Sequence, residues 1–171
     1  WGYTAQDYAL KNIQKTGGGD NQEIAGDLSV PGAKIKVKEV VKRVKSASGK
    51  SALRVSWTLK SAEPGKPMGL QRAYVSFPFG IAETAGLAFE AADGTKLPLP
   101  AELGEEFLPF PRHTTSLTLR APKQTFGLEG RDLNVAIADG RKQNTENFQV
   151  RLEFANAKDA ESSTIEFDVW A

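Results

Sequence analysis

Apolar and polar residues alternate with a period of two along much of this chain, and this alternation restricts its possible folds more than any other feature. It is clearest over residues 53–60, 73–79, 148–154 and 165–170. A strand buried on one face shows this period, whereas an amphipathic helix repeats its apolar residues every 3.6 positions. No segment shows a convincing long helical period. The chain is therefore predicted to be all-β.

Short turn signals separate the alternating segments. They include Val30-Pro31-Gly32, Ser46 to Lys50, Glu63 to Pro67, Asp93-Gly94 and Asp139-Gly140. Turns at such intervals are typical of an antiparallel β-sandwich, here jelly-roll or supersandwich-like, with about eight or nine strands. The chain has neither an internal repeat nor a low-complexity linker. Residues 1–171 are thus predicted to be a single domain, in which residues 1–33 form a less regular N-terminal segment.

The alternation changes phase in the strand that starts at Lys34. Ile35 and Val37 alternate with lysines, but Val40 and Val44 resume on a shifted register. One extra residue would produce such a shift, so a β-bulge is predicted near Glu39.

Composition excludes several kinds of site. The absence of cysteine excludes thiol catalysis, cysteine-ligated zinc and disulfides, and a single histidine disfavours a Ser-His-Asp triad. No apolar run is long enough for a transmembrane helix, so no membrane span is predicted. We predict no cofactor and no nucleic-acid partner. The two Asp-Gly turns leave a structural calcium ion as an open alternative, although neither lies in an EF-hand pattern.

A basic segment lies within a chain whose net charge is only +1. Between Lys34 and Lys50 there are seven lysines or arginines and one acid, Glu39. Such a segment can attract an anionic partner. It can equally be a set of solvated lysines that protect a sheet edge from aggregation.

Strand alternation also predicts which side chains point away from the core. An aromatic ring can stack on the apolar face of a sugar, and arginine can donate to paired hydroxyls. The candidate ligand-binding residues are Arg54, Arg72, Tyr74, Arg120, Arg151 and Trp170. Packing beneath a loop or against a neighbouring domain is the alternative role for Trp170. Trp57 alternates with the inward residues and is assigned to the core.

One segment resembles part of a catalytic signature. Glu166-Phe167-Asp168-Val169 is similar to the first half of the Glu-x-Asp-x-(x)-Glu strand of retaining jelly-roll glycosidases. The closing glutamate is missing from the pattern, and Glu153 on the preceding strand is a possible second carboxylate. Alternation on any exposed strand gives the same pattern, so no catalytic residue is predicted. A glycosidase that uses Glu166 is kept as the lesser alternative.

The spacing of several short motifs resembles a known class of accessory domain. These motifs are Val55-Ser56-Trp57, Phe77-Pro78-Phe79-Gly80, Asp93-Gly94 with Leu97-Pro98, and Asp139-Gly140-Arg141 before Phe148 to Leu152. Residues 34–169 are similar in layout to the non-catalytic supersandwich and carbohydrate-binding modules of bacterial polysaccharide-degrading enzymes. None of that family's binding residues aligns with a diagnostic motif here.

The resemblance implies a secreted or periplasmic carbohydrate-binding or accessory domain without catalytic activity. Its partners would be a polysaccharide or oligosaccharide and an adjacent catalytic domain of the same chain. The basic segment makes an acidic or sulfated glycan the expected ligand. A structural or adhesive immunoglobulin-like module is the other reading.

Overall fold

The fold is all-β, as the alternation predicts. The computed structural model describes residues 9–70, 73–80, 87–99, 107–108, 113–120, 125–139 and 147–171. These residues contain twelve strands and no helix, and every strand pairing is antiparallel. Within this part of the chain no helix is therefore available to span a membrane.

The described part of the chain has more strands than the eight or nine predicted. In chain order they are β1 (Ala9–Gly18), β2 (Asn21–Val30), β3 (Ala33–Lys45), β4 (Ser51–Ser61), β5 (Tyr74–Gly80), β6 (Ala88–Ala91), β7 (Lys96–Pro98), β8 (Phe107–Leu108), β9 (His113–Arg120), β10 (Thr125–Asp139), β11 (Asn147–Glu153) and β12 (Ser162–Trp170).

Most strands lie in one large sheet, which we call the main sheet. Its order is β1-β2-β3-β4-β12-β10-β9-β6-β7. The long strand β10 leaves this sheet partway along its length. Residues 127–129 of β10 pair with β12, whereas residues 135–139 pair with β11 and residues 137–138 with β8. Strand β11 in turn pairs with β5, so β5, β8, β11 and the end of β10 form a second layer.

The core lies between the main sheet and the second layer. Phe167 and Val55 of the main sheet belong to the same buried cluster as Phe148, Val150 and Leu152 of β11. A second cluster, around Ile35, Leu59, Met68 and Phe154, fills the end of the sandwich near the β4–β5 connection. Trp57 is partly buried and packs against both clusters.

The prediction of an irregular N-terminal segment is wrong for residues 9–30. This part of the chain forms the hairpin of β1 and β2, and only Gly19 and Asp20 separate the strands. Alternation is weak here because this hairpin lies at the sheet edge and β1 has only β2 as its partner. Polar residues therefore occupy both faces. The predicted turn at Pro31-Gly32 is confirmed, with Gly32 at φ 80°.

The predicted β-bulge near Glu39 is also wrong. Strand β3 pairs with β2 and with β4 in continuous register. Val40 and Val44 lie on the same face as Lys38 and Lys42, where they are partly buried. The phase change in the sequence therefore arises because apolar residues occupy the outer face. No extra residue is inserted in the strand. An irregularity does occur in β1, between Lys11 and Gln14.

Candidate functional site

A concavity lined by both polar and apolar groups opens on the face of the main sheet that points away from the core. Its volume is about 1150 Å³. Strands β4, β9, β10 and β12 line it, together with the β3–β4 turn (residues 46–50) and the bend of β10 at residues 130–132. The end of β11 and the segment after it also contribute, through Leu152, Glu153 and Ala155. Three of the predicted ligand-binding residues, Arg54, Arg120 and Trp170, are among the lining residues.

Arg54 is held in the concavity by Asp168. The two residues lie directly opposite each other on β4 and β12. Arg54 donates from Nε to Oδ1 of Asp168 at 2.7 Å and from Nη2 to Oδ2 at 3.0 Å. The Asp168 side chain is 7% exposed and that of Arg54 is 42% exposed. These bonds and the carboxylate charge raise the pKa of Arg54. The pair presents a permanently charged, oriented guanidinium with its remaining N–H donors available to a ligand.

Glu129 of β10 ties the β3–β4 turn to the main sheet. Its carboxylate accepts hydrogen bonds from the Ser48 backbone N–H at 3.0 Å, the Ser48 hydroxyl at 2.5 Å and the Trp170 indole Nε1 at 2.7 Å. Burial raises the pKa of Glu129, but the hydrogen bonds from Ser48, Trp170 and Ser46 outweigh burial and leave the pKa below its usual value. The carboxylate is therefore ionised at neutral pH. We call this arrangement the Glu129 clamp.

Trp170 packs against protein groups inside the concavity. Its residue is 9% exposed, and it lies directly opposite Gly127 on β10. A Cβ atom at Gly127 would come within 2.1 Å of Trp170 Cζ2, so only glycine leaves space for the indole. The Lys50 ammonium lies 2.9 Å from the ring centroid. Trp170 thus has the packing role that the sequence left as an alternative, and its contact with a ligand stays a prediction.

Two further polar pairs lie around the concavity. Arg120, at the end of β9, places Nε 3.7 Å from Glu90 Oε2. His113, at the start of the same strand, places Nδ1 2.8 Å from Asp132 Oδ1. Both basic side chains are about two-thirds exposed, Arg120 at 69% and His113 at 65%. They supply accessible polar groups at opposite ends of β9.

The structure places the other predicted residues elsewhere. Tyr74 and Arg151 belong to β5 and β11 in the second layer, and neither lines the concavity. Arg151 Cζ lies 4.8 Å from the Tyr74 ring centroid, and Arg151 Nη2 donates to Gln149 Oε1 at 3.0 Å. Tyr74 is 46% exposed. Arg72 lies outside the described residues. The described members of the predicted set thus divide between two separate surfaces.

The suggested carboxylate pair is not formed across neighbouring strands. Glu166 lies opposite Ser56 on β4, whereas Glu153 lies opposite Tyr74 on β5. Glu153 and Glu166 nevertheless both line the concavity. Two further carboxylates line it, those of Asp168 and Glu129, which lie opposite each other. Both are already engaged, by Arg54 and by the Glu129 clamp. In the described part of the chain, no three potential metal-ligating side chains converge.

Sequence reasoning missed the Glu129 clamp and Lys50. Gly127 and Glu129 are two residues apart, which would place them on one face of a strand. Two nearby glycines, Gly127 and Gly130, hide the alternation of this part of β10. No sequence signal links Ser48 to Glu129, which is 81 residues away.

Comparison with known proteins gives no matching family model, no matching curated protein and no matching solved structure. The function of the concavity is therefore argued from its own residues.

Proposed function

We propose that this chain is a non-catalytic carbohydrate-binding domain and that the concavity is its binding surface. The observation that supports this proposal is the presence of an indole and an ion-paired guanidinium on one rigid sheet face. Hydroxyl groups of Ser116, Thr118 and Thr164 line the same concavity. Side chains held on paired strands lose little conformational entropy when a ligand binds. Such a surface suits a sugar, which offers many hydroxyls and an apolar ring face.

The proposed ligand is an acidic or sulfated glycan. Four lysines, Lys34, Lys36, Lys38 and Lys42, lie along the outer face of β3, the strand that pairs with β4. Lys42 lies directly opposite Arg54, and Lys36 lies directly opposite Lys60. Like charges in directly opposed positions destabilise a sheet. Asp168 pairs with Arg54, Glu161 lies 4.0 Å from Lys60, and Asp27 lies opposite Lys36, so a bound anion would add to the compensation that these carboxylates give. The two opposed pairs are separated by about 20 Å along the strand, a length that suits a repeating chain more than a single sugar.

The proposed setting is a secreted or periplasmic polysaccharide-degrading enzyme, in which this chain accompanies a catalytic domain. The support for this setting is the resemblance of residues 34–169 to accessory domains of that kind. Its test is the sequence of the parent protein, in which a catalytic domain should be adjacent.

Binding to charged and neutral polysaccharides at several salt concentrations tests the ligand. We expect the chain to bind polygalacturonate or dextran sulfate more tightly than a neutral glucan or galactan. Screening shortens from about 8 Å at physiological ionic strength to about 3 Å at 1 M salt. Affinity for the charged polymer should therefore fall by about tenfold or more over that range.

A double variant with Lys36→Glu and Lys38→Glu should weaken the same binding. Arg54→Lys keeps the charge but removes the guanidinium, which can donate two parallel hydrogen bonds to a carboxylate or sulfate. This variant should therefore also bind the charged polymer less tightly. Salt-independent binding to a neutral glucan or galactan that survives the lysine reversals would contradict the acidic ligand. In that case the lysines would be solvated side chains on the outer face of β3, which pairs on both sides and is not an edge strand.

The glycosidase alternative depends on Glu166, which also lines the concavity. Retaining chemistry needs two carboxyl groups about 5–5.5 Å apart, one of them a nucleophile. Asp168 is held by two bonds from Arg54 and Glu129 by the clamp, which disfavours either as the second group. The candidate for that group is Glu153, which the sequence suggests and which also lines the concavity. Release of reducing sugar that disappears in Glu166→Gln would support the enzyme. If the chain neither binds a glycan nor releases reducing sugar, that result would support a structural or adhesive module.

A further inference from the structure

We infer that Lys50 competes with ligands for the stacking face of Trp170, so that a sugar reaches the indole only when the β3–β4 turn moves away. This inference rests on the proposed function, because it assigns a regulatory role within the same concavity. It also predicts which sugars the displaced lysine would favour.

Protein groups cover the indole of Trp170. Trp170 points to the outer face of the main sheet, where most side chains are solvated, yet it is 9% exposed. The ring lies over the Cα of Gly127 on the sheet side. The Lys50 ammonium lies over the ring at 2.9 Å from its centroid. A pyranose that stacks on this indole must therefore take the position of the ammonium.

Hydrogen bonds hold the β3–β4 turn, and with it Lys50, next to the indole. The β3–β4 turn is closed by backbone hydrogen bonds from Ser46 N–H to Lys50 O and from Gly49 N–H to Ser46 O, both 2.9 Å. Ser48 attaches the turn to Glu129. No residue of the turn belongs to either hydrophobic cluster of the described chain. The Ser48–Glu129 hydrogen bonds and the Lys50–indole contact hold the turn against β10 and β12. Since these contacts lie outside both clusters, the turn can open without exposing them.

A stacking sugar displaces the contact between the Lys50 ammonium and the indole. A cation over an indole contributes roughly 0.5 kcal/mol at an exposed site and about 2 kcal/mol when desolvated. A sugar that stacks on Trp170 must offset this energy. Removing the charge of Lys50 should therefore tighten binding of a neutral sugar by about 2- to 30-fold.

The charge of the sugar determines whether the displaced Lys50 can bind it. The open turn remains joined to β3 and β4, so a displaced Lys50 ammonium stays near the bound sugar. A carboxylate or sulfate beside the stacked ring can then form a charge-assisted hydrogen bond with it. An uncharged sugar cannot replace the lost cation–π contact in this way. Lys50 should thus penalise neutral sugars and favour acidic ones at the Trp170 position.

The test compares wild type with Lys50→Met, which keeps a long apolar side chain and removes the charge. The probes are polygalacturonate, its fully methyl-esterified form, which has the same backbone without charge, and a neutral galactan. We expect Lys50→Met to bind the neutral probes about 2- to 30-fold more tightly. Its preference for the charged probe should be smaller than that of wild type, but not absent, because Arg54 and the β3 lysines remain. Lys158→Met is the matched control, since Lys158 lies in an exposed turn outside the concavity, and it should behave as wild type.

A second measurement reports on the indole without any sugar. In the full chain labelled with 5-fluorotryptophan, the fluorine resonance of Trp170, assigned with Trp170→Phe, should shift in Lys50→Met and stay in place in Lys158→Met. If wild type and Lys50→Met bind every probe equally while Trp170→Phe weakens binding, the proposed function stands and the role of Lys50 is wrong. If no variant binds any probe, the proposed function fails and this inference fails with it.

Discussion

At the residue scale, the pair of Arg54 and Asp168 shows how one side chain can keep another buried. Asp168 is 7% exposed, and Arg54 supplies both of its hydrogen bonds from outside. A buried carboxylate that loses its partners keeps the cost of desolvation without compensation. The pair therefore positions Arg54 for a ligand and also keeps β12 stable beside β4.

Arg54→Met should destabilise the fold by about 1–3 kcal/mol, because it removes two charge-assisted bonds from a buried carboxylate. Urea unfolding at neutral pH measures this loss. Arg43→Met is the matched control, since Arg43 and Asp20 form an ion pair at 2.8 Å with side chains 60% and 67% exposed. Removing such an exposed pair should cost at most about 1 kcal/mol. Equal losses in the two variants would contradict the structural role of Arg54.

Alternation was sufficient to predict that Arg54 and Trp170 leave the core on the same kind of surface. It could not predict their partners. Asp168 is 114 residues from Arg54 in sequence, and only the register of β4 against β12 brings them together. Alternation also could not separate the outer faces of two layers, so Tyr74 and Arg151 entered the same predicted set as Arg54.

At the element scale, the β3–β4 turn is the part of the site most dependent on a single group. Glu129 accepts hydrogen bonds from both the turn and Trp170. Its pKa is lowered in the folded chain, so folding favours its ionised form. The stabilisation it gives is present above the ordinary carboxyl pKa of 4.5 and is lost as pH falls through the lowered folded value.

Glu129→Gln should therefore be less stable than wild type at neutral pH, and the difference should shrink as pH is lowered below 4.5. Urea unfolding midpoints between neutral and acidic pH measure this difference. Hydrogen bonds from Lys66 and Thr95 also lower the pKa values of Glu63 and Asp93, and these groups act equally in both proteins. Ser48→Ala removes one donor and should give an intermediate difference. A constant gap at all pH values would show that Glu129 acts through packing alone.

The predictability of each strand follows from its environment. Strands β4, β11 and β12 were predictable because each has a buried face, and their inward residues belong to the main cluster. The first part of β10 was not predicted, because Gly127 replaces a side chain where the indole of Trp170 lies. Gly130 has the same effect nearby, since a Cβ there would come within 2.5 Å of Leu133 Cδ2. Sequence periodicity thus fails where the backbone makes room for the site.

At the scale of the whole molecule, the order of strands in the main sheet differs from their order in the chain. Strand β12 is the last strand in sequence, yet it lies between β4 and β10 at the centre of the sheet. Its pairing with β4 joins residues about a hundred positions apart, as between Thr58 and Thr164. Local patterns carry no information on such pairings, so the sequence predicts a sandwich but not its topology. Pairing between strands far apart in sequence also slows folding, because the chain loses loop-closure entropy before the new contacts compensate for it.

This topology predicts unequal stability across the sheet. Strand β1 pairs with β2 alone, and none of its described residues belongs to a hydrophobic cluster. Leu10 and Ile13 are 52% and 60% exposed. The β1–β2 hairpin should therefore open locally, at a free energy well below that of global unfolding, which is typically about 5–15 kcal/mol. The central strands should exchange their amides only when the whole domain unfolds.

Hydrogen exchange of the full chain, read by mass spectrometry in increasing urea, tests this gradient. Peptides from residues 9–30 should exchange fast and with little dependence on urea, since local opening exposes little new surface. Peptides from β12 and from residues 125–139 should exchange slowly and with the urea dependence of global unfolding. Peptides from β3, which pairs on both sides, provide the internal reference between these limits. A common urea dependence for β1, β2 and β12 would show that the edge hairpin unfolds only together with the core.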